Sequence, residues 1–169
     1  MYSDYYNMHN QYYGFSEPNY RISQIQMNNE EIITLNQAIG LIRQSVGAEK
    51  EDEAFYDILI KQAPTEKEKD IIRSIRDDER KHNQILRGLY YEFTGQMLPA
   101  DTLTVETNNN MNYKENLEKA LFGELDAVSK YRKIMGTMPS GNSYTLLMSI
   151  MTDELRHANK YNFLIHNAK

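Results

Sequence analysis

The chain has 169 residues, a formal net charge of −5 and 40% hydrophobic residues, which suits one folded domain with a real core. Mild acidity without a run of Lys and Arg argues against a nucleic-acid partner, no apolar stretch reaches the roughly 18 residues of a membrane span, and no basic-then-apolar signal pattern opens the chain. A cytoplasmic protein is therefore expected. Cysteine is absent, which excludes disulfides, zinc fingers, thiol nucleophiles and Cys-ligated iron–sulfur sites, so any metal must be held by His and carboxylate.

Residues 1–27 stand apart. Six of the thirteen tyrosines lie between Tyr2 and Tyr20, among Asn, Gln and Ser, and neither a helical nor a strand period runs through them. The expectation is a poorly ordered Tyr/Asn-rich arm, either a plain tail or an interaction arm, followed by one domain over 28–169. The text becomes helical from about Asn29. A first helix is predicted from about Glu30 to Ala63, stopped by Pro64. A second starts at Thr65, with Glu68 three residues on as a capping box, and ends at Gly95. A third runs from about Asn112 to Thr137 and a fourth from about Asn142 to His166. No alternating run suggests a strand. Short turns join the first to the second helix and the third to the fourth, whereas about 16 residues separate the second from the third. The reading is all-α: a four-helix bundle of two antiparallel helix hairpins joined by a long crossover.

The two hairpins are related by a shift of 75 residues. In the first helix, Ile42, Val46, Glu49, Glu53, Tyr56 and Ile60 become Leu117, Leu121, Glu124, Val128, Tyr131 and Met135 in the third. In the second, Ile72, Ile75, Glu79, His82, Leu86 and Leu89 become Leu147, Ile150, Glu154, His157, Tyr161 and Leu164 in the fourth. Spacings of three and four place each set on one inward stripe.

Glu49, Glu79, His82, Glu124, Glu154 and His157 occupy positions on that stripe where apolar residues belong. A buried carboxylate is costly unless it is paired or coordinates a metal, and four together repel and raise one another's pKa values. Two divalent cations neutralise four carboxylates, and carboxylate with neutral imidazole suits iron or manganese. With 15 glutamates and four histidines, roughly 0.4 Glu-x-x-His pairs are expected by chance. The chain has two, each 30 residues after a stripe glutamate that is followed seven residues later by tyrosine. One Glu from each of two helices, with Glu-x-x-His from each of the others, is a complete ligand set for two metals in a helical bundle. His9 and His166 fall outside the stripes and are read as exposed.

These residues resemble the ferritin-like di-iron proteins, and among them rubrerythrin. Asp153-Glu154-Leu155-Arg156-His157 has the family's Asp-Glu-x-Arg-His pattern, and Asp78-Glu79-Arg80-Lys81-His82 has it with Lys for Arg. Gly123-Glu124 with Tyr131 matches the third helix, while Ala48-Glu49 with Tyr56 departs at the glycine. The resemblance covers about residues 30–166 and implies a ferritin-like fold with two iron ions per chain, manganese being the alternative. It implies that Glu79 and Glu154 bridge the metals, that Glu49 and Glu124 each cap one, and that His82 and His157 each bind one. Asp78 and Asp153 would orient the ligand histidines, with Arg156 and Lys81 paired to them and Tyr56 and Tyr131 nearby. A further family glutamate is Ala127 here; its counterpart Asp52, and Glu53 beside it on the stripe, are candidates for an extra ligand near Glu49. With no cysteine in the sequence, the rubredoxin-like electron-relay domain that usually accompanies rubrerythrin is not expected here.

The resemblance implies a redox enzyme, a non-haem di-iron peroxidase that reduces hydrogen peroxide with electrons from an external donor such as rubredoxin. Ferroxidase or iron handling with dioxygen, and a manganese catalase-like dismutation, are the neighbouring readings. Because the Tyr- and Asn-rich arm resembles spore-coat proteins, a structural role with spore-coat localisation is another. A homodimer is expected, because bundles of this family often pair.

Overall fold

The computed structural model describes residues 33–47, 49–99 and 110–168, with the side chains of residues 49–52 outside that description. The expected arm at 1–27 lies outside the described residues. These contain five helices and no strand: α1 (Leu35–Gly47), α2 (Glu49–Gln62), α3 (Glu66–Thr94), α4 (Tyr113–Met135) and α5 (Asn142–Asn167). None is long and apolar enough to cross a membrane.

Local chemistry sets the helix ends. The first helix was expected from about Glu30, but α1 starts at Leu35. Thr34 and Gln37 form a reciprocal capping box there, the Gln37 backbone N–H donating to Thr34 Oγ1 at 3.3 Å and the Thr34 N–H to Gln37 Oε1 at 2.8 Å. Of the box expected at Thr65, the threonine half is present, its hydroxyl accepting from the Glu68 N–H at 3.2 Å. The buried Glu68 carboxylate accepts instead from the Tyr113 hydroxyl at 3.1 Å, which ties the start of α3 to the start of α4. A complete box at Asn112 and Glu115 opens α4. Gly95, at φ 68°, ends α3 in the left-handed region, and Gly141, at φ 143° and ψ −151°, precedes α5 in a region open essentially to glycine.

Polar contacts fix the relative directions. Ion pairs Glu53–Arg80 and Asp57–Arg76 run antiparallel along α2 and α3. The contacts Asp78–His157, Asp153–His82, Ser74–Lys160 and Glu92–Ser143 do the same for α3 and α5. Asn116, fully buried, donates to Gln62 Oε1 at 2.9 Å and to the Met111 carbonyl at 3.2 Å, locking the end of α2 to the start of α4.

The core falls into two apolar clusters. Ile42, Leu86, Leu89, Tyr131, Ile134, Leu147 and Ile150 belong to one; Tyr56, Leu59, Ile72, Ile75, Leu117, Tyr161 and Leu164 belong to the other. The 75-residue shift exchanges them: Ile42 with Leu117, Leu59 with Ile134, Ile75 with Ile150, Leu86 with Tyr161. Each buried Leu or Ile contributes about 1.5–3 kcal/mol. Along α3, α4 and α5 the sequence passes from one cluster to the other through a short polar stretch, and those stretches form the candidate site.

Candidate metal centre

Helical spacing delivers the side chains. On α3, Glu79 and His82 lie one turn apart on the inward stripe, as do Glu154 and His157 on α5, and Glu124 projects from α4. His157, His82, Glu154 and Glu124 are 0%, 2%, 1% and 7% exposed, whereas the Glu79 side chain is 26% exposed. Ligand atoms of Glu79, Glu124, Glu154 and His157 lie within 4.8 Å of one another, a group able to hold a metal ion.

Both central glutamates reach both histidines. Glu79 places Oε1 at 3.0 Å from His157 Nδ1 and Oε2 at 3.5 Å from His82 Nδ1. Glu154 places Oε1 at 3.4 Å from His82 Nδ1 and Oε2 at 3.3 Å from His157 Nδ1. Glu124 Oε2 lies 3.7 Å from His157 Nδ1. The imidazoles stack with centroids 5.7 Å apart. These contacts are close yet misaligned: Glu79 Oε1, Glu154 Oε2 and both histidine Nδ1 atoms are buried without a hydrogen bond. They converge on shared space instead of pointing at one another. Buried polar groups are seldom left so, and neutral imidazole with carboxylate oxygen is a donor set suited to iron or manganese, so the residues fit the metals that the resemblance implies.

The outer imidazole nitrogens are held across the helix pair. His82 Nε2 lies 3.2 Å from Asp153 and His157 Nε2 lies 3.4 Å from Asp78, so each aspartate serves the histidine of the other helix. Arg156 joins them, with Nη2 2.9 Å from Asp78 and 3.0 Å from Asp153. Lys81 pairs with Asp78 at 2.9 Å. With Nε2 held by a carboxylate, Nδ1 is the nitrogen turned to the cluster, and it would become a ligand once a metal displaced its proton.

Electrostatics follow from this geometry. Burial works against a charged His82, but Glu154 and Glu79 outweigh it and push its pKa up to about 10. The same contest at His157, with Glu124, Glu154 and Glu79 opposing burial, ends at about 11. Burial pushes Glu124 up to about 9, with His157 opposing and Glu154 adding to the rise. Burial also works against an ionised Glu154, yet His157 and His82 hold it below the usual carboxylate range. Asp78 is held at about 2, hydrogen bonds from Lys81, His157 and Arg156 outweighing its burial.

The remaining candidates lie as follows. The side chains of Glu49 and Asp52 lie outside the described residues. Glu53 accepts from Arg80, at 2.7 Å from Nη2 and 2.8 Å from Nε, which turns its carboxylate to the α3 surface. Tyr56 and Tyr131 are buried, one in each core cluster. By its spacing alone Tyr161 is no more than a stripe residue. It is fully buried, and burial, with Glu124 and Glu79 adding, raises its hydroxyl well above the usual pKa. Its repeat partner Leu86 is the signal that this position departs from the duplication.

A family model described as a ferritin-like domain matches residues 8–167. This chain belongs to the ferritin-like domain family. A solved structure of a hypothetical protein from Pyrococcus furiosus resembles this ferritin-like chain with a TM-score of 0.61 and 20% identity, over 79% of this chain and 89% of that one; at that identity the likeness is one of fold. No curated protein matches the chain.

Proposed function

We propose that the ferritin-like chain is a four-helix bundle, with α1 and α2 together as one helical side and the stretch between α3 and α4 as the crossover, and that it is a di-iron oxidoreductase of rubrerythrin type. The observation that carries this reading is the convergence of four buried, unbonded donor atoms from Glu79, Glu154, His82 and His157. Glu79 and Glu154, each with one oxygen toward each histidine, would bridge two ions. Glu124 would complete the position at His157 and Glu49 the one at His82. Glu53, engaged by Arg80, is left out of the set.

When bound, two ferrous ions supply the two electrons that, with two protons, reduce hydrogen peroxide to two waters; an external donor such as rubredoxin returns the electrons. The protein's share is positional. Asp78 and Asp153 fix the ring orientation of the histidines, and Arg156 holds the aspartates in register. The core clusters on either side exclude water, while Glu79, the one partly exposed member of the group, gives small reactants a way in. The arm at 1–27 remains a separate proposal, a segment for association or coat localisation.

Anaerobic rapid mixing of the ferrous protein tests the reading. Peroxide is expected to oxidise the centre much faster than dioxygen does; equal rates, or faster oxidation by dioxygen, would move the assignment to a ferroxidase.

A further inference from the structure

The duplication makes the two metal positions formally equivalent, but the residues behind them are not. Asp153, behind His82, accepts among the described residues from Arg156 and the histidine, with Lys81 and Lys160 acting on it only at longer range. Asp78, behind His157, accepts from Arg156 at 2.9 Å and Lys81 at 2.9 Å, and Lys160 Nζ stands 4.0 Å away. Strict symmetry would send Lys81, the counterpart of Arg156, across to Asp153. A lysine is a point donor and cannot fork between two carboxylates as arginine does, and Lys81 stays on its own helix. Lys160 has no basic counterpart, since its repeat partner is Ile85. It is anchored by donating to Ser74 Oγ at 3.0 Å, and its side chain is only 25% exposed. Lys81, 68% exposed, is screened by water and counts for less.

We infer that the two metal positions are inequivalent, the ion at His82 being bound tightly and the ion at His157 weakly, with Lys160 as the residue that sets the difference. The inference rests on the di-metal reading above. A carboxylate behind a ligand imidazole increases its donor strength. At His157 that carboxylate is largely neutralised by the cations around it, and a partly buried ammonium beside it repels a cation directly. Asp153 keeps more of its charge for His82. Lys160 donates to Ser74 and stands beside Asp78, and it acts through Asp78, as a positioning residue.

Anaerobic titration of the full chain with cobalt(II), followed by calorimetry and by the ligand-field absorption, reads the two steps separately. Two resolved steps are expected. Asp153→Asn should weaken the tighter step by about tenfold or more, and Asp78→Asn should weaken only the looser step, by less. Lys160→Met should tighten the looser step by about threefold and leave the other alone, whereas Lys160→Arg should keep the native separation. Two ions of equal affinity in the native chain, or a Lys160→Met variant in which neither step moves or both move alike, would overturn the inequivalence. A chain that takes up no pair of ions contradicts the di-metal reading itself, so the two failures are distinguishable.

Discussion

The two halves of this chain keep the same inward stripe but differ on the surface above it. In the first half, Glu53 pairs with Arg80 and Asp57 with Arg76 over the α2–α3 seam. Seventy-five residues on, the same positions are Val128 with Leu155, and Arg132 with Met151. The bridging positions differ too: the Glu79 side chain is 26% exposed and Glu154 is buried at 1%. Inside, Ile75 and Ile150 are both fully buried, and Glu79-x-x-His82 faces Glu154-x-x-His157. The inward Glu-x-x-His positions are therefore the same in both halves, while the positions that cover them differ.

The largest expected effect strikes what the halves share. Glu79→Ala or Glu154→Ala should each take the protein from about two bound metals to none, because each residue faces both histidines; metal analysis after anaerobic iron loading reads this. Next come the matched core positions. Ile75→Ala and Ile150→Ala should each destabilise by about 2–5 kcal/mol and by similar amounts, measured by denaturant unfolding. A large difference between them would mean that the halves are not energetically equivalent.

A smaller, directional effect concerns pH. In the metal-free protein the folded pKa values of His82 and His157, about 10 and 11, lie above the usual 6.5. Their contribution is fully present below about pH 6.5 and is lost as pH rises through those values, since the unfolded chain releases its protons first. Glu124, raised to about 9, acts in the same direction. The melting temperature of the metal-free protein should therefore fall between pH 6.5 and 10. Metal uptake releases protons, so the metal-loaded protein should gain stability relative to the metal-free form over the same range. The smallest effect is on the surface: Glu53→Val with Arg80→Leu, which imposes the second half's residues on the first, removes a half-exposed ion pair and should change stability by no more than about 1 kcal/mol.

How far the sequence reaches depends on the kind of contact. Positions three and four apart on one helix are legible, which is why Glu79 with His82 and Glu154 with His157 could be placed on one face. The 75-residue shift then matched the halves without any structure. Contacts between helices are not legible in that way. Nothing in the spacing says that Asp78 holds His157 and Asp153 holds His82, crossing between α3 and α5, or that Arg156 forks between them. Glu53 looked like a stripe residue, and its partner Arg80 lies 27 positions away. Glu68 fits the capping-box pattern, yet its carboxylate is taken by Tyr113 from the far side of the crossover. The helical pattern read from about Glu30 does not mark where the first helix begins, because the Thr34–Gln37 box starts it at Leu35.

The central claim is that Glu79, Glu154, His82 and His157 converge on a pair of metal ions. The most direct measurement is the metal content of the full chain after anaerobic loading with ferrous iron, compared with Glu154→Ala. Two irons per native chain and none in the variant are expected; no iron in the native chain, or two retained in the variant, would contradict the claim.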